Sequence, residues 1–93
     1  MSEFKGTKGN WHVGGLENGK LSINTESYFI ALIDQGSEQR ANACLIAAAP
    51  DLLISLQQII ASANRLGLVS DDDSGLSLEV SKAEFHINKA LGK

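Results

Sequence analysis

Arg40-Ala41-Asn42-Ala43-Cys44-Leu45-Ile46-Ala47-Ala48-Ala49-Pro50-Asp51-Leu52-Leu53 is apolar, alanine-rich and interrupted once, by a proline–aspartate step. Alanine and leucine are the strongest helix formers. Proline has no N–H, and its ring clashes with the carbonyl four residues back. It biases the preceding residue, here Ala49, away from α geometry and suits the first turn of a new helix. The stretch therefore predicts one helix stopping and a second starting at Pro50, over about 38–49 and 50–65.

Upstream, Ser37 is a good N-cap and Glu38 sits where the helix dipole favours a carboxylate. The first helix is apolar nearly all round (Ala41, Ala43 to Ala49), the pattern of a buried helix. Asp51 falls in the first turn of the second helix. There Leu52, Leu53, Leu56, Ile59, Ile60, Ala63 and Leu66 form one wide stripe, and Gly67 is a natural stop. A polar loop, Val69 to Gly75, leads to a third helix over about 76–91 that ends at Gly92. Its main stripe is Leu76, Val80, Ala83, Ile87, Ala90 and Leu91. Leu78 and Phe85, seven residues apart, lie on another side, as do Ile54 and Ala61 on the helix before. A second apolar line containing Phe suggests packing on two sides or self-association.

Residues 10–34 read as strands. Asn18-Gly19 is the strongest local signal, because a type I′ turn needs positive φ at both central positions. That hairpin sets Leu16 against Leu21. Trp11 and Val13 would then face away from Leu21 and Ile23, unless a bulge at Gly14-Gly15 flips the parity; such a bulge is expected. The third strand, Ser27 to Ile33, is apolar on both parities, so a central position, or cover on both faces, is expected. Phe29, Ala31 and Ile33 would form one face, and Tyr28, Ile30 and Leu32 the other. The fold class is α+β: a three-stranded antiparallel meander followed by three helices, β-β-β-α-α-α. Residues 1–9 read as a flexible N-terminus in which Phe4 could reach the core, and residues 10–93 as a single domain.

Ninety-three residues fit one small domain, and 43% hydrophobic residues exclude disorder throughout. The net charge is −3, and the eight basic residues are scattered, which disfavours the counterion release that drives nucleic-acid binding. A single cysteine excludes an intramolecular disulfide and fits a reducing cytoplasm; Cys44 would pack as a small hydrophobe. No apolar signal core stands at the N-terminus. No uninterrupted run of about 18 apolar residues occurs, so no membrane span is expected.

The chemistry-bearing residues form no familiar constellation. Asp71-Asp72-Asp73-Ser74-Gly75 fails as a calcium loop, with its glycine one position early and Lys82 at the place of the final ligand. His12 and His86 would need Cys44 as third zinc ligand, against its helical setting. Glu79 and Glu84 are not spaced as an acid–base pair. No phosphate loop, nucleophile elbow or dinucleotide fingerprint occurs. An enzyme is therefore not expected, nor is a cofactor or metal. Trp11 reads first as core. Tyr28 and Phe85 read equally as core or as interface anchors.

The segment 40–53, Arg40-Ala41-Asn42-Ala43-Cys44-Leu45-Ile46-Ala47-Ala48-Ala49-Pro50-Asp51-Leu52-Leu53, resembles a pattern, acidic-x-x-Ala-Asn-Ala-x-Leu-Ile-Ala-Ala-Ala-Pro-acidic-Leu-Leu, of small accessory proteins of tailed bacteriophages and prophages. There it follows a short β region with a Trp near its start, as Trp11 stands here. Cys44 departs from the family's usual polar residue. The resemblance carries over no catalytic residue. It implies an accessory role, which for phage genes includes action on host machinery or defence.

Three readings follow. The first is a non-enzymatic protein acting by protein–protein contact with a host or phage protein, in the host cytoplasm and as a homo-oligomer, a dimer. Its surface would be Leu78, Phe85, Ile54 and Tyr28. The second is a protein that sequesters a small nucleotide signal, with Arg40, Arg65 and Lys82 as anion contacts. The third is a nucleic-acid-binding regulator, weakened by the charge.

Overall fold

The computed structural model describes residues 4–67 and 75–93. The first three residues of the expected flexible N-terminus, the aspartate run and the rest of the loop up to Ser74 lie outside them. Three strands precede two helices: β1 (His12–Glu17), β2 (Lys20–Asn24), β3 (Phe29–Ile33), α1 (Gln39–Arg65) and α2 (Gly75–Ala90). The class is α+β, but two helices replace the three expected, because α1 runs unbroken through Pro50. An interior proline removes one rung of the ladder and costs about 3 kcal/mol relative to alanine. The alanines and leucines on both sides are helical formers strong enough to carry the helix across it. Asp51 is accordingly mid-helix. The helix starts at Gln39, and the Asn42 amide donates to the Glu38 carbonyl at 2.9 Å, so Glu38, not Ser37, stands at the cap position. The chain forms two compact units, residues 6–51 and residues from 52 onward together with Phe4 and Lys5.

In the first unit, β1-β2-β3 is an antiparallel meander with β2 in the middle. The turn between β1 and β2 has the expected positive φ at both Asn18 (53°) and Gly19 (80°). Val13 pairs with Ile23 and Leu16 with Leu21, so one extra residue lies in β1 between them. This is the expected bulge at Gly14-Gly15, set opposite Ser22. It is braced from β2: the Ser22 hydroxyl donates to the Gly15 carbonyl at 3.3 Å, and Asn24 Nδ2 donates to Ser22 Oγ at 2.8 Å. A Cβ at Gly14 would collide with both of those side chains.

β3 is an edge strand, not the central one. Ile23 pairs with Ala31 and Asn24 with Phe29, which makes Ile30 an extra residue. This second bulge overturns the expected two faces. Ile30 joins Ala31 and Ile33 against the core, while Phe29 and Leu32 are exposed. The buried centre is Leu21, Ile23 and Ala43, with Trp11, Val13, Ile46 and Ala47 packed around it. Trp11 is thus core, as read, and its indole N–H donates to the Thr7 carbonyl at 3.1 Å. Thr25 Oγ1 closes the β2–β3 turn by accepting from the amides of Ser27 (3.2 Å) and Tyr28 (3.0 Å).

The first turns of α1 bury one side only. Ala43 is buried and Ile46 and Ala47 are half-buried, but Ala41, Cys44, Leu45, Ala48 and Ala49 are exposed. The expectation of a helix buried all round, with Cys44 packed as a small hydrophobe, fails because a single three-stranded sheet covers only one side of a cylinder.

In the second unit, Ile60, Val80 and Ile87 form the buried cluster, with Leu53, Leu56, Ala83 and Leu91 packed on it. The main stripe of α2 is therefore its core face, as read, though Ala90 is exposed and the Leu76 side chain lies outside what is described. α1 ends as its glycine implies: the Gly67 amide, at φ 70°, donates to the Asn64 carbonyl at 3.2 Å. α2 ends in a full Schellman motif, with Gly92 donating to Lys89 (3.1 Å) and Lys93 to Asn88 (2.8 Å).

Candidate functional site

The residues read as a contact surface are all exposed. Phe85 is 65% and Leu78 56% exposed, two turns apart on the side of α2 away from Val80 and Ile87. Phe85 therefore takes no part in its own unit's core. The His86 ring stands edge-on to it, with centroids 5.5 Å apart. Ile54 is exposed on α1, on a side that helical periodicity separates from Leu53, Leu56 and Ile60. Tyr28 is exposed in the other unit, where it lines a depression of about 320 Å3 with Lys8, Asn10, Thr25 and Glu26.

The three cations read as anion contacts do not converge. Lys82 pairs with Glu79 at 3.5 Å, an exposed (i, i+3) pair worth at most a fraction of a kcal/mol. Arg65 reaches Ser62 Oγ at 3.5 Å. Arg40 belongs to the first unit, and Arg65 and Lys82 to the second. A cleft of about 240 Å3 between α1 and α2 is lined by Gln57, Ile60, Asn64, Glu84, Ile87 and Asn88, and by none of the three cations. His12, His86 and Cys44 are exposed, and no cluster of three metal-ligating side chains occurs among the described residues.

The sequence reading missed the largest exposed apolar feature. Leu45 (65%), Leu52 (54%) and Ile59 (65%) recur every seventh residue along α1, Leu66 (64%) follows at the same spacing just past its end, and all four are exposed. Leu45 was assigned to a buried helix, and the other three to the core stripe. That stripe splits in two: Leu53, Leu56, Ile60 and Ala63 turn inward, and Leu52, Ile59 and Leu66 do not. The strict seven-residue spacing was the available signal. Because α1 is continuous, it is long and apolar enough to cross a membrane by length and composition, with only 11% of its most apolar window buried. The absence of an uninterrupted apolar run therefore does not exclude a span on those grounds. Buried helices of soluble proteins meet the same criterion, although this one is mostly exposed.

No curated protein and no solved structure matches the chain. A family model does match, over residues 1–93, so the phage origin suggested by the helical motif is supported, and a protein of this kind is made in the host cell. The chain belongs to the family described as Salmonella phage P22 protein Y8K6.

Proposed function

We propose that this phage protein is a non-enzymatic accessory factor that works by protein–protein contact in the host cytoplasm. The observation that carries the reading is the balance of apolar side chains among the described residues. Eleven large ones are exposed, while Leu21, Ile23, Ile60, Val80 and Ile87 are the large ones buried. Isolated exposed apolar residues are ordinary, but aligned ones mark contact surfaces. Leu78 and Phe85 share one side of α2, and Tyr28 and Phe29 adjoin at the start of β3. Aromatic side chains of this kind are favoured anchors in interfaces. Host machinery or host defence is the target class that the phage origin favours.

The test is photo-crosslinking in host cells, with benzoylphenylalanine in place of Phe85 or of Tyr28. The expected result is a discrete adduct whose mass exceeds twice the 9.9 kDa chain, at one site and not at an exposed polar control such as Glu84. Adducts absent from both sites, or equally present at the control, would remove the support for a dedicated partner surface.

A further inference from the structure

We propose that Asn18-Gly19 is a self-modification site, an asparagine that deamidates, and that the folded hairpin keeps it latent. The chemistry belongs to the chain itself. The Gly19 backbone nitrogen attacks Asn18 Cγ, and the new C–N bond closes a five-membered imide. The side-chain nitrogen leaves as ammonia, carrying the proton that the backbone amide gives up. Water then opens the imide at either carbonyl. One opening gives aspartate, and the other routes the backbone through Cβ as isoaspartate. One water is consumed and one ammonia released, with no change of oxidation state.

The reacting groups are accessible and unpaired. Asn18 and Gly19 are both exposed, so solvent base and water reach them. The Asn18 side-chain amide and the Gly19 N–H make no hydrogen bond among the described residues. Glycine leaves the attacking nitrogen unshielded, because it has no Cβ to crowd the ring. The other asparagines precede Trp11, Thr25, Ala43, Arg65 and Lys89, each of which has one.

The turn geometry withholds the reaction. Asn18 and Gly19 hold φ 53° and 80°, as a type I′ turn requires. That turn sets ψ of its first central residue to about +30°. At that ψ the Gly19 nitrogen lies nearly opposite Asn18 Cβ across the Cα–C bond. Ring closure needs the two eclipsed, so the bond must turn by well over a right angle. Such a rotation swings the Asn18 carbonyl, and the chain after it, out of place. It breaks the bond from Gln35 to the Asn18 carbonyl (3.3 Å) and the bond from Gln39 to the Gly19 carbonyl (2.7 Å). The Gln39 amide is also held by the Ile33 carbonyl, so it is anchored at the sheet end and acts as the latch. Isoaspartate adds a backbone atom to a two-residue loop and cannot retake the type I′ turn. Each opening that runs to completion therefore marks the chain permanently. No partner is needed, and every residue involved lies within the first unit.

The test is the rate of deamidation of the full chain in mildly alkaline buffer, read by peptide mapping and mass spectrometry. Unfolded in guanidinium chloride, the chain is expected to deamidate first at Asn18, with isoaspartate as the main product. The folded wild type should react there at least about tenfold more slowly, and folded Gln39→Ala should recover about tenfold, the factor that two hydrogen bonds of ordinary net strength supply. If Gln39→Ala unfolds by circular dichroism, Gln35→Ala, which removes only the weaker tie, takes its place, with about a threefold acceleration expected. Ile23→Val weakens the core of the same sheet without touching the turn, and should leave the rate unchanged. Equal rates in the folded and unfolded wild type overturn the latch. So does an unchanged rate in the folded glutamine variant, or an equal acceleration in Ile23→Val. Deamidation of the unfolded chain that falls first on another asparagine overturns the site.

Discussion

The side-chain amide of Gln39 donates to the carbonyl of Gly19 at 2.7 Å, and to the carbonyl of Ile33 at 3.1 Å. One residue at the start of α1 thereby ties together the tip of the first hairpin and the end of the last strand. Gln35 adds a weaker tie, donating to the Asn18 carbonyl at 3.3 Å.

Gln39→Ala removes both bonds. Hydrogen bonds in such settings contribute about 0.5–1.5 kcal/mol each, and the exposed one less. A loss of about 1–2 kcal/mol is expected. In a chain of this size each kcal/mol lowers the melting temperature by about 4–8 °C. Thermal unfolding followed by circular dichroism checks this. An unchanged midpoint would mean that the two bonds give no net stability.

Gly19→Ala meets two obstacles at once. The backbone is held at φ 80°, and a Cβ there would run into the Gln35 amide. The expected cost is about 1–2 kcal/mol. Gly15→Ala, one residue along the bulge from Gly14, has open space around its Cβ and serves as the tolerated control. Equal midpoints for the two variants in urea would contradict the reading of Gly19.

Pro50→Ala should stabilise the protein. It returns an amide that can reach the Ile46 carbonyl in the middle of α1, and alanine is favoured over proline there by about 3 kcal/mol. A gain of about 1–3 kcal/mol is expected after allowing for the half-buried ring. Denaturant unfolding at matched protein concentration measures it, and a loss of stability would show that the ring's packing outweighs the missing bond.

Ile60→Ala and Phe85→Ala separate core from surface. Ile60 is 7% exposed, and its truncation should cost about 2–4 kcal/mol. Phe85 should change stability by no more than about 0.5 kcal/mol. A large loss at Phe85 in the monomeric state would return it to the core.

The first hairpin and its bulge were legible because each has a local signal: Asn18-Gly19 demands one turn type, and the parity of Trp11 and Val13 against Leu21 and Ile23 demands an extra residue. The bulge at Ile30 had no such signal, since β3 is apolar on both parities and any frame satisfies it. Pro50 misled for the opposite reason. Its local preference is strong, but it is one residue against a long run of helix formers, and the run prevails. On the helices, periodicity identified the inward faces of α2 and of the latter half of α1. It could not show that the sheet is too narrow to cover the rest of α1. The line at Leu45, Leu52, Ile59 and Leu66 was consequently read as core, whereas Leu78, Phe85 and Ile54, for which packing on two sides and self-association both stood open, are exposed.

The missing rung at Pro50 has a further consequence for how the chain comes apart. The boundary between the two compact units falls between Asp51 and Leu52, beside the residue that cannot donate a backbone hydrogen bond. Each side has its own buried cluster, Leu21, Ile23 and Ala43 on one and Ile60, Val80 and Ile87 on the other. Segments with separate cores and a weak ladder between them open as separate cooperative blocks. Amide exchange should therefore resolve two protection levels along a single helix, stepping at Pro50, and Ile60→Ala should lower the second without lowering the first. In that sense α1 carries a step in stability at Pro50: one end can melt while the other keeps its fold.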